Sequence, residues 1–266
     1  MKKYLLDLSV RCVSYPRPGY VLLQLTSLSG DPLPEMQPGQ FVEVRVDGSA
    51  TTFLRRPISI NRVDREANEL WLLVHIVGEG TRWIASLSVG DVLNVMLPLG
   101  RGFTLPSVPA LSPSGLPERC LLVGGGVGTA PLLYLGEMLS RAGACPMFLL
   151  GARTHDDLLQ LDLFRRLGEV CVTTEDGSAG ERGFVTQHSI WQTTPLPTRI
   201  YTCGPKPMMQ AVARMARERH IPCEASLENL MACGLGACLC CVEDTVDGHV
   251  CVCQQGPVFS TDKLKW

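Results

Sequence analysis

"CLLVGGGVGTAPLLYLGEMLSRAG", Cys120–Gly143, decides the fold. Cys120 to Val123 form a short apolar run that stops at three glycines. The stretch from Gly128 then has the composition of a helix. A buried strand, a glycine turn and a helix in immediate succession form one unit of an α/β sheet. Downstream, "CPMFLLGAR" is predicted as a strand, "DDLLQLDLFRRLG" a helix and "EVCVTTEDG" a strand. "TRIYTCGP" and "KPMMQAVARMARERH" add another strand and helix. Strands and helices alternating at this length predict a parallel sheet covered on both faces.

Upstream the pattern differs. "YLLDLSVRCV", "YVLLQLTSL", "QFVEVRV", "LWLLVHIV" and "DVLNVML" are short apolar or alternating segments. They are separated by "PRPG", "SGDPLPEMQPG", "VDGS" and "SVG", which carry turn chemistry. This predicts a small antiparallel barrel over residues 1–103. "TLPSVPALSPSGLPE" lacks periodicity and is rich in Pro and Ser, the composition of a linker. The α/β domain is expected over residues 117–221. Residues 222–266 are too few to build a core alone and require a staple.

Composition narrows the function. The 266 residues are 45% hydrophobic and 19% charged with a net charge of -2. That excludes a large disordered tail and gives no basic footprint for nucleic acid or a membrane. Asp7 and Arg11 interrupt the N-terminal apolar stretch, so no signal peptide is expected. A cytoplasmic location follows as an expectation, and there clustered cysteines usually mean metal or redox chemistry.

Half of the 12 cysteines lie in "MACGLGACLCCVEDTVDGHVCVC", Met231–Cys253. Cys233, Cys238 and Cys241 have the C-x4-C-x2-C spacing of a plant-type [2Fe-2S] loop, in which the fourth thiolate comes from a distant point. The small residues between them let the backbone wrap closely and aim its amides at sulfur. Structural zinc is the rival, but it tends to use two paired C-x-x-C knuckles, and only Cys238 to Cys241 fits that spacing. Free buried cysteines are the bland reading. Cys240 is expected to face outward. In a strand "HVCVC", Cys251 and Cys253 point the same way, so spacing leaves the fourth ligand open.

Three further motifs accompany the cysteines. "FLRRPISIN", residues 53–61, offers cations for a pyrophosphate and a hydroxyl for a ring system, or else is a strand with solvated arginines. "GEGTRWIASL" places Gly78, Gly80 and Thr81 where backbone amides can meet phosphate, and His75 precedes it as a core residue or a ligand contact. "GGGVGT" is set between strand and helix as a dinucleotide turn would be. Yet Thr129 stands where the G-x-G-x-x-G fingerprint after Gly124 and Gly126 needs its last glycine. Cys203, at the end of "YTC", either packs on a reacting ring or is a small buried hydrophobe.

RPxS on a barrel strand, GGGxGxxP after the first strand of an α/β domain and then CGP occur in one order. That order resembles the ferredoxin reductase superfamily. The cysteine loop narrows the resemblance to the electron-transfer subunits of NAD-dependent bacterial dihydroorotate dehydrogenases. "RRPISI", "GEGT", "GGGVGTAPLL", "TCGPKPMM", "MACGLGACLCC" and "GPVF" are similar to those subunits along almost the whole chain. The resemblance implies FAD contacts at Arg56, Pro57, Ile58 and Ser59, at Leu73, Val74 and His75, and at Gly80 and Thr81. It implies a nicotinamide site at Gly124, Gly125, Gly126, Gly128 and Thr129 and at Cys203, Gly204 and Pro205, with Ser59 and Cys203 as candidate catalytic residues.

Cluster ligands implied in the same way are Cys233, Cys238, Cys241 and Cys253, the last because the family's fourth ligand precedes a Gly-Pro-Val turn. Ile58 departs from the wider superfamily, which often has an aromatic residue there. NADH moves electrons in pairs whereas a [2Fe-2S] cluster accepts one, so a flavin must stand between them. The family resemblance therefore implies electron flow from an FMN-containing catalytic subunit through the cluster and FAD to NAD+, in a complex of two copies of each subunit. An NADPH-ferredoxin reductase or sulfhydrogenase subunit shares these cofactors; Arg153 could meet a 2′-phosphate. A zinc-stabilised, non-catalytic module is the alternative of another class.

Overall fold

The computed structural model describes residues 2–112 and 115–266. The first sheet contains β1 (Tyr4–Ser14), β2 (Tyr20–Ser27), β3 (Phe41–Val44), β4 (Arg56–Ser59), β5 (Arg62–Asp64), β6 (Glu69–His75) and β7 (Val92–Leu99). Helix α1 (Glu79–Ala85) sits between the last two. The order β4-β3-β7-β1-β2-β6-β5 has β4 and β5 at opposite edges, although only two residues separate them in the chain. The Ile60 amide donates to the Gln40 carbonyl and the Asn61 amide to the Trp71 carbonyl, so one segment serves both edges. The antiparallel sheet thereby curls into the expected barrel.

Side-chain alternation along β2 and β6 explains why these segments are apolar at nearly every position. Val21, Leu23 and Leu25 with Leu70, Leu72 and Val74 point into the barrel core. Tyr20, Leu22 and Leu73 point outward, against Ala130 and Leu159 of the second domain. A strand buried on both faces has no polar side to alternate with.

The second sheet is built from β8 (Arg119–Gly125), β9 (Cys145–Ala152), β10 (Glu169–Thr174), β11 (Glu181–Arg182), β12 (Arg199–Cys203), β13 (Cys223–Ser226) and, much later in the chain, β16 (Val258–Ser260). Their order is β11-β10-β9-β8-β12-β13-β16, parallel except for the last pairing. Alternate residues again divide two cores. Cys120, Leu122, Phe148 and Tyr201 join the core of helix α2 (Ala130–Arg141), whereas Leu121, Val123, Leu149 and Ile200 join that of α4 (Lys206–Glu218). The helix predicted over 156–168 shrinks to α3 (Leu161–Arg165). Gln160, at φ 54°, breaks it, while Leu158 and Leu159 are buried on its N-terminal side.

The expected linker includes Pro113 and Ser114, which lie outside the described residues. Around them the chain is pinned: Ala110 donates to Ala142 and accepts from Glu118, and Tyr201 donates to the Thr104 carbonyl. The cysteine segment begins and ends within the second sheet, since β13 pairs with β12 and β16 returns to β13. Between them lie β14 (Val242–Thr245), β15 (Gly248–Cys251) and α5 (Val252–Gln255). Among the described residues no helix is long and apolar enough to cross a membrane.

Barrel and α2 are fastened by buried polar contacts. Asn61, fully buried, donates to the Ala130 carbonyl at 2.9 Å and exchanges two 3.0 Å bonds with the Gln160 amide. Arg62 reaches Glu137 at 2.6 Å, and the Tyr134 hydroxyl donates to the Met36 carbonyl. Replacing Asn61 by Leu strips the Gln160 amide of both its bonds to Asn61 and the Ala130 carbonyl of its side-chain donor, an expected loss of roughly 1–3 kcal/mol. Chemical denaturation checks this, and Gln160→Leu added to it should cost less than the sum of the single changes.

Candidate functional site

The second sheet changes direction at β8 and β12, whose carboxyl ends lie side by side with Cys203 opposite Gly124. Ligands of open α/β sheets bind at such a switch point. Here a cleft of about 740 Å³ is lined by Gly125, Gly126 and Gly128 at the end of β8 and by Gly204, Pro205 and Met208 where β12 passes into α4. A side chain at Gly128 would place its Cβ 2.4 Å from the Gly204 Cα, so glycine is required for the two loops to touch. Thr129 fits where the fingerprint asks for glycine because it is buried and donates back to the Gly126 carbonyl, closing the turn.

The opposite wall belongs to the barrel. Tyr20 and His75 stack with ring centroids 4.6 Å apart and both line the cleft. His75 is exposed, which removes the core-histidine reading. Burial, followed by the Asp157 charge, raises the Tyr20 hydroxyl pKa above its usual value, so it is held neutral. Arg153, Asp157 and Glu175 also line the cleft. Cys203 does not line it; the thiol is buried in the core, and burial holds it well above the usual thiol range. Glu228, which the sequence reading overlooked, does line the cleft, and burial raises its carboxyl.

On the barrel, Arg56 lies across the start of α1. A Cβ at Gly80 would stand 2.8 Å from the Arg56 Nε, and that Nε is buried without a hydrogen-bond partner. Two motifs far apart in sequence thus meet at one unpaired cation, an arrangement suited to a pyrophosphate. Pro57, Ile58 and Ser59 continue half-buried along β4. Leu73 and Val74 have buried side chains, leaving backbone atoms as their means of contact. Thr81 turns inward, its hydroxyl accepting from the Val77 and Gly78 amides and donating to the Gly78 carbonyl.

In the cysteine lobe the backbone aims at sulfur. The Leu235 amide donates to the Cys233 sulfur at 3.3 Å and the Cys253 amide to the Cys241 sulfur at 3.4 Å. Burial alone would raise the Cys233 thiol. The amides of Leu235, Cys238 and Ala237, with the Cys238 thiol, outweigh it and bring the pKa down to about 6. Cys253 is pushed up to about 12, first by burial and then by the Cys241 thiol, while the Gly236 amide faces its sulfur. Cys240 is exposed, as expected.

The strand reading of "HVCVC" fails. The strand ends at Cys251 and α5 begins at Val252, so the two cysteines do not share a strand face. Among the described residues no three His, Cys, Asp or Glu side chains are gathered to hold a single metal ion.

Two measurements check this geometry. Gly128→Ala should raise the NADH concentration needed for half-maximal flavin reduction at least tenfold by parting the loops, read by stopped-flow absorbance. On metal-free protein, Cys233 should alkylate with a pH midpoint near 6, its thiolate accumulating above that value; Cys253 should stay unreactive at neutral pH.

Comparison with known proteins agrees with this architecture. Residues 228–265 match the family described as the iron-sulfur cluster binding domain of dihydroorotate dehydrogenase B, and residues 122–214 an oxidoreductase NAD-binding domain. The dihydroorotate dehydrogenase B (NAD(+)) electron transfer subunit of Listeria monocytogenes is 40% identical, covering 90% of this chain and 91% of the relative. That of Lysinibacillus sphaericus is 38% identical, covering 94% and 95%. A solved structure of an NADH-dependent reduced ferredoxin-NADP oxidoreductase superposes with a TM-score of 0.84 at 28% identity, covering 100% of this chain and 92% of that one. Phthalate dioxygenase reductase, at 22% identity and a TM-score of 0.62, shares the fold. With relatives this similar over nearly its whole length, the chain belongs to the family of electron transfer subunits of dihydroorotate dehydrogenase B (NAD(+)).

Proposed function

We propose that this chain passes electrons from a dihydroorotate-oxidising, FMN-containing catalytic subunit to NAD+, in the synthesis of pyrimidines. One observation carries the reading: three sites share one barrel. Arg56 and Gly80 meet at one end of β4, Tyr20 and His75 form a wall of the nucleotide cleft, and the cysteine lobe packs on Phe41 and Leu99. FAD, when bound, exchanges a hydride with nicotinamide and single electrons with a [2Fe-2S] cluster. Arg56 would provide the cation for its pyrophosphate, and Pro57, Ile58, Ser59, Leu73, Val74, His75, Gly80 and Thr81 would complete the residues that hold it.

Gly125, Gly126, Gly128, Gly204 and Pro205 bring backbone close to NAD(H), while Gly124 and Thr129 shape the turn and Cys203 supports it from the core. The Tyr20–His75 pair shields the cleft on the barrel side. Cys233, Cys238, Cys241 and Cys253 are the proposed ligands. The Gly236 amide at Cys253 supports that residue over Cys251, and the amides around Cys233 favour its thiolate. A two-iron cluster spreads four thiolates over two metals, unlike a single zinc ion. We divide the chain at 1–103, 117–221 and 222–266, place it in the cytoplasm and assign a complex of two copies of each subunit.

A second reading, service to ferredoxin, is favoured by the 28% identical solved structure, but the curated relatives are more similar at 38–40%. Glu175 and Asp157 in the cleft oppose a 2′-phosphate, so NADH should be used at least tenfold better than NADPH, and Glu175→Gln should narrow that ratio. Protein purified without oxygen should show flavin bands and about two irons per chain. It should oxidise NADH with artificial acceptors and leave dihydroorotate untouched; turnover of dihydroorotate without a partner, or zinc without flavin, rejects the proposed role. Mixing with the catalytic subunit should give a species of two copies of each by light scattering.

A further inference from the structure

Glu43 is a fully buried carboxyl on β3, and neither of its oxygens has a hydrogen-bond partner. Its neighbours Val42 and Val44 point into the barrel, so Glu43 shares the outward side with Phe41, which packs in the cysteine-lobe core. On that side it lies directly beneath the loop: a Cβ on Gly234 would be 2.8 Å from the Glu43 Cγ and 3.0 Å from its Oε1. Gly234 itself has φ +65°. Across the strand, Glu43 is in register with Pro57 of β4. It therefore lies between the strand assigned to the flavin and the loop assigned to the cluster.

A structural role alone does not account for this group. Burying a carboxyl without hydrogen bonds is costly, and an apolar side chain of similar size would fill the space without that cost. The nearest cations do not pair with it directly. Arg55 spends its guanidinium on the Glu43 and Asn94 carbonyls and the Asn94 side chain, and Arg56 lies over Gly80. Burial pushes the Glu43 carboxyl up to about 7; Arg55 and then Arg56 oppose the rise, and the Cys233 charge adds to it.

We propose that Glu43 is a positioning residue that seats the cysteine loop on the barrel and, through its buried charge, lowers the reduction potential of the cluster. The inference rests on the cluster assignment above. One electron entering the cluster makes it more negative by one charge, and a carboxylate beneath it in a low-dielectric setting disfavours that state. The electron is thereby directed from the cluster to the flavin, with no further reactant needed.

The test is a potentiometric titration of the full chain carrying FAD and iron, followed by the cluster's electron paramagnetic resonance signal at alkaline pH. Glu43→Gln should raise the cluster midpoint by at least about 59 mV, a tenfold change in a one-electron equilibrium. Glu43→Asp should stay close to the unaltered protein. An unchanged or lowered midpoint in Glu43→Gln overturns the inference. If that variant fails to hold the cluster, Glu43→Met, apolar and of similar size, is read in its place: the midpoint must rise there too, and no rise overturns the inference equally. Absence of any cluster signal from the unaltered protein rejects the functional reading instead, so the two failures are distinct.

Discussion

The molecule depends on a barrel whose outside is as apolar, over part of its surface, as its inside. Tyr20, Leu22 and Leu73 meet the nucleotide domain, and Phe41 and Leu99 meet the cysteine lobe. A small barrel with these residues exposed would present a large apolar surface to water. Covering them with the other two parts fixes where each part sits, and the hydrophobic effect alone specifies adjacency without direction. Direction comes from the polar contacts: Asn61 with Gln160, Arg62 with Glu137, and Tyr134 with Met36. Apolar faces thus provide the adhesion and paired amides and charges provide the orientation.

That division explains how the cleft is held open at a defined width. One wall is a barrel surface whose Tyr20 and His75 brace each other by stacking; the other is a pair of glycine loops touching at Gly128 and Gly204. The carboxyl ends of β8 and β12 aim both loops at the same point because the sheet reverses its direction of growth between them. The cysteine lobe shares this fixed frame, since its core includes Phe41 and Leu99 of the barrel together with Met209 of α4.

Much of this was legible in the sequence because it is periodic or punctuated. The barrel strands, the alternation of β8 to β12 with helices and the glycine turn follow from local patterns and turn residues. What was illegible depended on distant partners. Gln160 breaks the helix expected over 156–168, and its amide pairs with Asn61, some hundred residues away. The turn at Val252 that separates Cys251 from Cys253 has no breaker residue to announce it. Local pattern leaves Cys203 open between a group at the reacting ring and a small buried hydrophobe, because it ends a strand at the carboxyl edge; strand parity turns it into the core. Glu228 and Glu43 carried no motif. A buried carboxyl in a β-run is invisible until the face opposite it is known.

The sheet leaves toward the cysteine lobe at Ser226 and receives it back at Val258, and these two residues are register partners on adjacent strands. Entry and exit are therefore one strand spacing apart, about 4.8 Å. Topologically, residues 227–257 are an insert into a hairpin at the edge of a nucleotide-binding sheet. An insert whose ends nearly coincide can be lengthened, shortened or exchanged while the strands that hold it keep their hydrogen bonds. A redox centre carried in this way is modular in its backbone: a reductase frame of the same kind could take up or lose its one-electron centre without breaking a strand, provided the barrel face at Phe41 and Leu99 changes with it.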